Sequence, residues 1–486
     1  MASIARLLFP ALRWAEGTGF DHEAPRIDEA LRMGVGGFIL FGGDAGAVRE
    51  LTASLRQRSR EPLLIGADLE RGAGQQFRGA TPLPPAAALA ELDDLEITRR
   101  AGELTAQEAR ALGVNWVYAP VADLDLEPRN PIVGTRSFGS DPARAAAHVT
   151  AWIEGCHAGG ALSCAKHFPG HGRTVADSHA QLPVVMTRRQ GLERDLAPFR
   201  AAVRAGVDSI MTAHVAFPAL DASGAPATLS EPIVQELLRG ELGFDGAVVT
   251  DALIMEGVLE GGGGAESAAV RAVAAGCDAL LYPEDLAAVA SALDAALGGR
   301  LSRTRVEEAA SRIQRLVERA QQIGAGPAEW GRPEDRAWAV GIAERALRMV
   351  RGTPQRLPAS VDLVVVDDDV GGPYPPPPRD AFPAALRAAG IEAVQVAEPG
   401  PGRPALVAVY ADIRGWKGRA GLSGQAVSAI ATILGAAADA TVVLFGHPRL
   451  AAELPDRAVR VLAAWGGEPL MQEAAARWLV AGRGGA

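Results

Sequence analysis

A single short segment, residues 166–183, concentrates the side chains that could do chemistry. It reads KHFPGHGRTVADSHAQLP and holds three of the eight histidines of the chain. It also holds Lys166, one of only two lysines in a chain rich in arginine. A lysine retained in such a chain indicates a need for its compact, flexible charge. The glycines and the proline exclude regular helix, and polar groups on a loop that follows an apolar strand typically contact a ligand.

This segment resembles glycoside hydrolase family 3, and specifically its bacterial β-N-acetylglucosaminidase branch, whose hallmark is Lys-His-Phe-Pro-Gly-His-Gly followed by Asp-Ser-His. Three further stretches resemble the family. They read IGADLERGAGQ (65–75), APVADLDLEPRNPIVGTRSFGSDP (119–142) and VVTDALIMEGV (248–258). The resemblance covers most of residues 1–325.

Length and charge restrict the class of protein. A chain of 486 residues suggests two or three domains, and its 48% hydrophobic and 22% charged residues are ordinary for a globular protein. The net charge of −10, with no offsetting basic stripe, argues against a nucleic-acid partner. No oligomeric state is predicted.

The compartment is predicted to be the cytoplasm. Cys156, Cys164 and Cys277 form no spaced disulfide framework, which favours a reducing environment. The apolar run between Arg6 and Arg13 is too short for a signal peptide. No stretch approaches the roughly 20 apolar residues of a membrane span, so no membrane partner is expected.

The amino-terminal part of the chain predicts a (β/α)₈ barrel. Up to about residue 285, short apolar runs alternate with amphipathic stretches, which is typical of βα units and a parallel sheet. Eight such strands fit a barrel better than an open doubly wound sheet, and no Gly-x-Gly-x-x-Gly follows any of them. The predicted strands are 4–10, 36–41, 62–67, 115–120, 162–167, 209–213, 247–251 and 279–282.

Polar residues recur at the carboxyl ends of these strands. In a barrel those ends face the same way, so the side chains converge on one mouth, although each one alone could be a helix cap. The residues in question are Asp68, Glu70, Asp123, Lys166, His167, His214 and Asp251.

The rest of the chain predicts a second, smaller domain. Residues 301–322 form an amphipathic helical pattern, followed by a connector with a further helical stretch to Arg351. Apolar runs at 361–366, 405–410, 441–445 and 459–464 then alternate with helical patterns. The predicted domains are a catalytic barrel (1–325), a helical connector (326–357) and an α/β sandwich (358–486). Two-domain members of the family often carry such a sandwich, and we predict a stabilising or interaction role for it.

The resemblance implies a nucleophile and an acid/base. Retaining cleavage of a glycosidic bond needs a carboxylate near the anomeric carbon and a proton donor for the departing oxygen. Asp251 occupies the position of the family's nucleophile, and its alternative is a helix-capping role. The implied acid/base is His179, oriented by Asp177 as a carboxylate orients a catalytic imidazole. An isolated Asp-x-His pair would more simply stabilise its own loop.

The resemblance also implies sugar-hydroxyl ligands, namely Asp68, Arg136, Lys166 and His167. For Arg136 a surface ion pair is the alternative. Zinc held by His167, His171 and His179 is disfavoured, because the spacing has its usual meaning only on a helix. His171 is expected to shape the loop, and no metal or other cofactor is expected.

The prediction is therefore a retaining exo-β-N-acetylglucosaminidase that acts on terminal β-linked GlcNAc of peptidoglycan or chitin fragments. Three departures from the family pattern keep alternatives open: Gln76 replaces an arginine, Arg173 an aspartate, and Ala252 a second aspartate after the nucleophile. The alternatives are a β-glucosidase or β-xylosidase, a GlcNAc phosphorylase, and a barrel that binds sugar without cleaving it.

Overall fold

The computed structural model describes residues 4–323, 328–370 and 375–482. These residues divide into two compact units. The first unit comprises Met1–Pro82, Asp94–Leu126 and Ser140–Arg332, and the second comprises Leu83–Asp93, Glu127–Gly139 and Pro333–Ala486. The predicted boundary between residues 325 and 326 lies outside the described residues, and the predicted domain bounds stay a prediction.

The first unit contains a parallel sheet that closes on itself. Strands pair in chain order from the second to the eighth, and the ninth pairs with the first. A bridge between Val249 and Ala279 joins the eighth strand to the ninth. The strands are β1 (Leu8–Phe9), β2 (Ala11–Arg13), β3 (Gly37–Phe41), β4 (Leu64–Ala67), β5 (Trp116–Val117), β6 (Leu162–Phe168), β7 (Ser209–Thr212), β8 (Ala247–Thr250) and β9 (Leu280–Leu281).

β1 and β2 are one barrel strand interrupted at Pro10, which has no N–H to donate to the ladder. With that strand counted once, the described residues form eight parallel strands, and the predicted barrel is confirmed. The predicted strand at 4–10 is wrong at its start, because Ile4–Leu7 form a short 3₁₀ helix. Three of those four residues are buried, so the helical turn has the same apolar pattern as a buried strand.

Helices follow the barrel strands, and aspartate or serine side chains cap several of them. Asp94, Asp141, Asp285 and Ser302 each accept a backbone N–H at a helix start. The helices up to residue 323 are α1 (Ala24–Met33), α2 (Ala45–Arg58), α3 (Ala86–Glu91), α4 (Leu95–Ala111), α5 (Pro142–Ala158), α6 (Arg189–Arg204), a π-helix (Pro232–Glu241), α7 (Glu256–Gly262), α8 (Ala265–Ala275), α9 (Leu286–Ala296) and α10 (Arg303–Gln322). α3 groups with the second unit, and α10 matches the predicted helix at 301–322.

The second unit is built on a six-stranded sheet in the order β10-β15-β14-β13-β11-β12, in which β10 alone is antiparallel to its neighbour. Its strands are β10 (Arg348–Arg351), β11 (Ser360–Asp367), β12 (Glu392–Gln395), β13 (Pro404–Ala411), β14 (Asp439–Gly446) and β15 (Val461–Ala463). Its later helices are α11 (Pro333–Ala346), α12 (Ala381–Ala388), α13 (Gly424–Ala436) and α14 (Pro469–Ala481). The four predicted apolar runs are the four central strands, and the predicted α/β architecture is confirmed.

Two strands of this sheet were not predicted. The helical stretch expected to reach Arg351 ends at Ala346, and β10 pairs with β15 instead. β10 has no fully buried residue and β12 has only one, so neither shows the apolar run of a strand. Pairing with neighbouring strands decides their conformation, which is a tertiary effect.

The second lysine of the chain is buried in this unit. Lys417 Nζ lies 2.8 Å from Asp369 Oδ1 and 3.0 Å from the carbonyl oxygen of Asp412. The same Asp369 carboxylate accepts the N–H of Asp412 at 2.7 Å and the guanidinium of Arg379 at 2.6 Å. Asp369 therefore fixes the loop that follows β13 to the end of β11.

Replacing Lys417 should destabilise the second unit. Lys417→Met removes one of the two cations that pair with the buried Asp369 carboxylate and leaves only Arg379. We expect this to cost about 2 kcal/mol of the free energy of unfolding, the value of a charged hydrogen bond. The control is Arg477→Met, which removes an exposed i,i+4 pair with Glu473 on α14 and should cost about 0.5 kcal/mol or less. Urea titration gives both values, and equal midpoints for the two variants would contradict the role of Asp369.

Candidate active site

Lys166 lies on β6, and every residue of that strand is buried. Its Nζ is 2.5 Å from Asp68 Oδ1 and 2.7 Å from Glu70 Oε1. Asp68 directly follows β4, so the barrel brings together two of the predicted sugar ligands. An ammonium group shared between two carboxylates is held in one position. Of the three side chains, that of Asp68 is the most accessible, with 27% of its surface exposed.

His167 is oriented by a buried carboxylate. Its Nδ1 lies 2.7 Å from Asp123 Oδ2, and the N–H groups of His167 and His171 donate to Asp123 Oδ1 at 3.2 and 2.7 Å. Burial favours the neutral acid, but the two histidines outweigh it and lower the pKa of Asp123. The arrangement leaves His167 Nε2 at 3.9 Å from Asp251 Oδ2.

Asp251 follows β8, and its side chain is 21% exposed. One carboxylate oxygen accepts the N–H of Ala252 at 2.7 Å. Burial would raise the pKa of Asp251, but His167, His214 and that N–H together lower it to about 2. The carboxylate is therefore ionised at neutral pH, as a nucleophile must be.

The predicted dyad is formed in the loop after β6. His179 Nδ1 lies 2.7 Å from Asp177 Oδ1, and the N–H of His179 donates to the same oxygen at 2.9 Å. The Asp177 side chain is 2% exposed and that of His179 is 21% exposed. An Nδ1–H donated to the carboxylate leaves Nε2 to exchange a proton. His179 also makes a small contribution to lowering the pKa of Asp251, after those of His167, His214 and the Ala252 N–H.

His171 ties this loop together. Its Nδ1 lies 2.8 Å from Thr174 Oγ1 and its Nε2 lies 2.9 Å from Ser178 Oγ. The carbonyl of Ser178 in turn accepts the N–H of Gly257 at 3.1 Å, at the start of α7. A Cβ on Gly257 would stand 2.9 Å from that carbonyl oxygen, so the close contact requires glycine. The loop that carries the dyad is thus held both internally and against α7.

Arg136 differs from the other predicted sugar ligands because it does not belong to the first unit. It ends a 3₁₀ turn, Gly134–Arg136, in the segment Glu127–Gly139 that groups with the second unit. Its guanidinium donates to the carbonyl of Ile132 at 3.1 Å. A role for Arg136 as a sugar ligand stays a prediction.

The sequence predicts that Glu70, Asp123 and His214 lie at strand ends and converge on the barrel mouth, but it assigns them no catalytic or sugar-binding role. Glu70 and Asp123 fix Lys166 and His167, as described above. His214 Nε2 donates to the carbonyl of Ala252 at 3.1 Å, and its Nδ1 lies 2.8 Å from Thr228 Oγ1. Their position after barrel strands was the available signal, whereas their partners depend on pairing between strands distant in sequence.

Each of the three histidines in this segment has a side-chain hydrogen-bond partner. His167, His171 and His179 each use Nδ1 in a hydrogen bond with Asp123, Thr174 or Asp177. Throughout the described part of the chain, no group of three or more histidines, cysteines or acids is arranged to hold a metal ion. The absence of a cofactor stays a prediction.

Comparison with known proteins defines the class. The family model described as the Glycosyl hydrolase family 3 N terminal domain matches residues 20–316. The chain therefore belongs to glycoside hydrolase family 3, and it is a glycoside hydrolase. The resemblance seen in its motifs is confirmed.

Individual relatives extend this result. The chain is 33% identical over 409 residues to a β-N-acetylglucosaminidase/β-glucosidase of Cellulomonas fimi, covering 78% of this chain and 72% of that protein. It is 41% identical over 288 residues to a β-hexosaminidase of Pseudomonas aeruginosa, covering 58% and 83%. A family 3 β-N-acetylglucosaminidase from Paenibacillus sp. is similar in structure, with a TM-score of 0.85 at 30% identity over 99% of this chain and 96% of that one.

Stability should fall at acidic pH partly through His171. Burial lowers its pKa to about 4, below the value of about 6.5 for an unfolded histidine. Because the pKa of His171 is lower in the folded state, the unfolded chain binds the proton first as the pH falls. The free energy of unfolding is therefore unaffected by His171 above about pH 6.5 and decreases as the pH falls towards 4, by roughly 2 kcal/mol between pH 7 and pH 4.5.

His171→Gln should therefore lose less stability than wild type between these two pH values, as measured by urea titration at each. The control is His22→Gln, which changes a ring that is 41% exposed and should leave the wild-type pH dependence in place. Equal losses in wild type and His171→Gln would show that His171 does not carry the effect.

Proposed function

We propose that the protein is a retaining exo-β-N-acetylglucosaminidase that removes terminal β-linked GlcNAc from peptidoglycan or chitin fragments in the cytoplasm. One observation carries the proposal: the loop that holds the hydrogen-bonded Asp177–His179 pair also accepts, through the Ser178 carbonyl, the N–H of Gly257, six residues after Asp251. The pKa of Asp251 is lowered to about 2. A carboxylate that is ionised at neutral pH and a group that can donate and accept a proton, here an imidazole, are the two groups that retaining cleavage requires. The names of the relatives support the choice of sugar.

In the first step Asp251 attacks the anomeric carbon. The bond from that carbon to the leaving oxygen breaks as the bond to the carboxylate oxygen forms, and His179 gives its Nε2 proton to the departing oxygen. The buried Asp177 carboxylate stabilises the imidazolium before this transfer. The product of the step is a glycosyl-enzyme with inverted anomeric configuration.

In the second step the neutral imidazole of His179 accepts a proton from water as the water oxygen attacks the anomeric carbon. Asp251 leaves as a carboxylate, and its stable ionised form makes it a good leaving group. Two inversions restore the β configuration. Asp68, Lys166 and His167 would hold the hydroxyl groups of the sugar, since charged groups fixed by their own partners orient a substrate at little entropic cost.

Water is favoured over phosphate as the acceptor. Lys166 and Arg173 are the cations that could draw a phosphate to the loop, but Lys166 lies between Asp68 and Glu70. The Arg173 Nε is 3.0 Å from both carboxylate oxygens of Asp195. Their charges are compensated locally, which argues for hydrolysis and against a phosphorylase.

Substrate preference tests the proposed function. Aryl β-N-acetylglucosaminide should be cleaved with kcat/KM at least about tenfold above aryl β-glucoside and β-xyloside, which corresponds to about 1.4 kcal/mol of transition-state binding. The assay is run in phosphate and in a non-nucleophilic buffer, with free reducing sugar expected in both. Preference for the unacetylated sugars would identify a β-glucosidase or β-xylosidase, and sugar 1-phosphate would identify a phosphorylase.

The roles of the two catalytic groups can be separated with azide. Asp251→Ala should lose turnover by about 10⁴-fold or more, and azide should then attack the sugar directly to give the α-glycosyl azide. His179→Ala should still form the glycosyl-enzyme from a substrate with a good leaving group, so azide would give the β-glycosyl azide. The matched control is Glu256→Ala, which removes a nearby carboxylate at the start of α7 and should leave turnover near wild type. The same azide anomer from both catalytic variants would refute this assignment.

A further inference from the structure

A cavity of about 520 Å³ lies in the first unit at the amino ends of β4 and β5. It is therefore at the opposite end of the barrel from Asp68, which follows β4. The four residues of β4 separate the two places by roughly 13 Å. The cavity is lined by the end of α2, the loop before β4, the turn after α4 and the last turns of α10.

Three arginines and a single acid line this cavity: Arg56, Arg60, Arg110 and Glu61. Neither Arg56 nor Arg60 forms an ion pair with a carboxylate in the described part of the chain. Arg56 donates to the carbonyl of Gly113, and Arg60 is exposed. Arg56 and Arg60 thus offer two guanidinium groups that pair with no carboxylate in the described residues, within a space of small-molecule size, roughly 300–1,000 Å³ for ligand pockets in general.

The positive charges are held close together at a cost. Partial desolvation by the surrounding protein lowers the pKa of Arg56, although the residue remains exposed, and the neighbouring charge of Arg110 lowers this pKa further. Burial also lowers the pKa of Arg110. An anion placed between like charges removes their repulsion, so the cavity is electrostatically prepared for a negatively charged ligand.

The turn that holds Arg56 is built tightly. Gly113 has φ of +81°, and a Cβ there would stand 2.3 Å from Thr52 Oγ1 and 2.6 Å from Arg56 Nη1. Thr52 Oγ1 donates to the carbonyl of Leu112 at 2.8 Å, which ties the same turn to α2. The guanidinium of Arg56 is thereby fixed before any ligand arrives, and fixing in advance reduces the entropy lost on binding.

We propose that this cavity binds a phosphate-bearing small molecule. Guanidinium groups match the tetrahedral oxygens of phosphate through paired N–H donors, and the two guanidinium groups of Arg56 and Arg60 suit a dianion better than a single carboxylate. Val317 and Ala320 of α10 supply an apolar wall for the organic part of a phosphate monoester. The proposal is independent of the reaction at the other end of the barrel.

The experiment measures binding of glycerol 3-phosphate and of inorganic phosphate to the full chain by titration calorimetry. Wild type should bind one equivalent, and Arg56→Gln and Arg60→Gln should each weaken binding roughly tenfold, as expected when one charged hydrogen bond is lost. Tighter binding of glycerol 3-phosphate would identify a monoester as the ligand, and equal affinities would identify the inorganic ion.

The control is Arg315→Gln, an equal change of net charge on α10 that involves an arginine outside the cavity lining. It should leave affinity unchanged. Equally weakened phosphate binding in Arg56→Gln, Arg60→Gln and Arg315→Gln would show that binding depends only on the net charge of the protein. Loss of binding in His179→Ala alone would show that the phosphate binds at the reaction site. Either result, or no binding by wild type at millimolar phosphate, overturns the proposal.

Arg60→Gln keeps the test valid should Arg56→Gln unfold, because Arg60 makes no hydrogen bond in the described residues.

Discussion

The geometry of the candidate site depends on the buried carboxylate of Asp123. It accepts the ring N–H of His167 and the backbone N–H groups of His167 and His171. Those three hydrogen bonds fix the end of β6 and the start of the following loop to the segment that follows β5. His171 then ties the loop onward to Thr174 and Ser178. One ionised group in a desolvated position thus helps to determine where the dyad comes to lie, since Asp177 and His179 flank Ser178.

Charge balance is the second constraint. The mouth of the barrel gathers Asp68, Glu70, Asp123, Asp177 and Asp251, and such a set of acids would raise one another's pKa if left alone. Lys166 pairs with Asp68 and Glu70. At Asp251, burial raises the pKa, but His167, His214 and the Ala252 N–H lower it to about 2. Both lysines of the chain neutralise carboxylates in buried positions, since Lys417 is likewise buried against Asp369 in the second unit. A slim ammonium on a flexible stem fits where a guanidinium fork would not.

Much of this architecture could be predicted from local pattern. The barrel followed from alternating apolar runs, and the position of Asp68, Lys166 and Asp251 at one mouth followed from the parallel direction of the strands. The pairing of Asp123 with His167 could not be predicted, because it joins residues 44 positions apart through the register of β5 and β6. β10 was missed because its residues are half exposed and its conformation is set by β15. The grouping of the segment that carries Arg136 with the second unit has no local signal at all.

The covalent role of Asp251 is the central claim, and trapping tests it most directly. An aryl 5-fluoro-β-N-acetylglucosaminide slows both steps by destabilising positive charge on the sugar ring, and its activated leaving group lets the glycosyl-enzyme accumulate. After proteolysis, mass spectrometry should find the sugar on the peptide that contains Asp251. A label on any other residue, or an unlabelled enzyme that releases the α-anomer as its first product, would contradict the account.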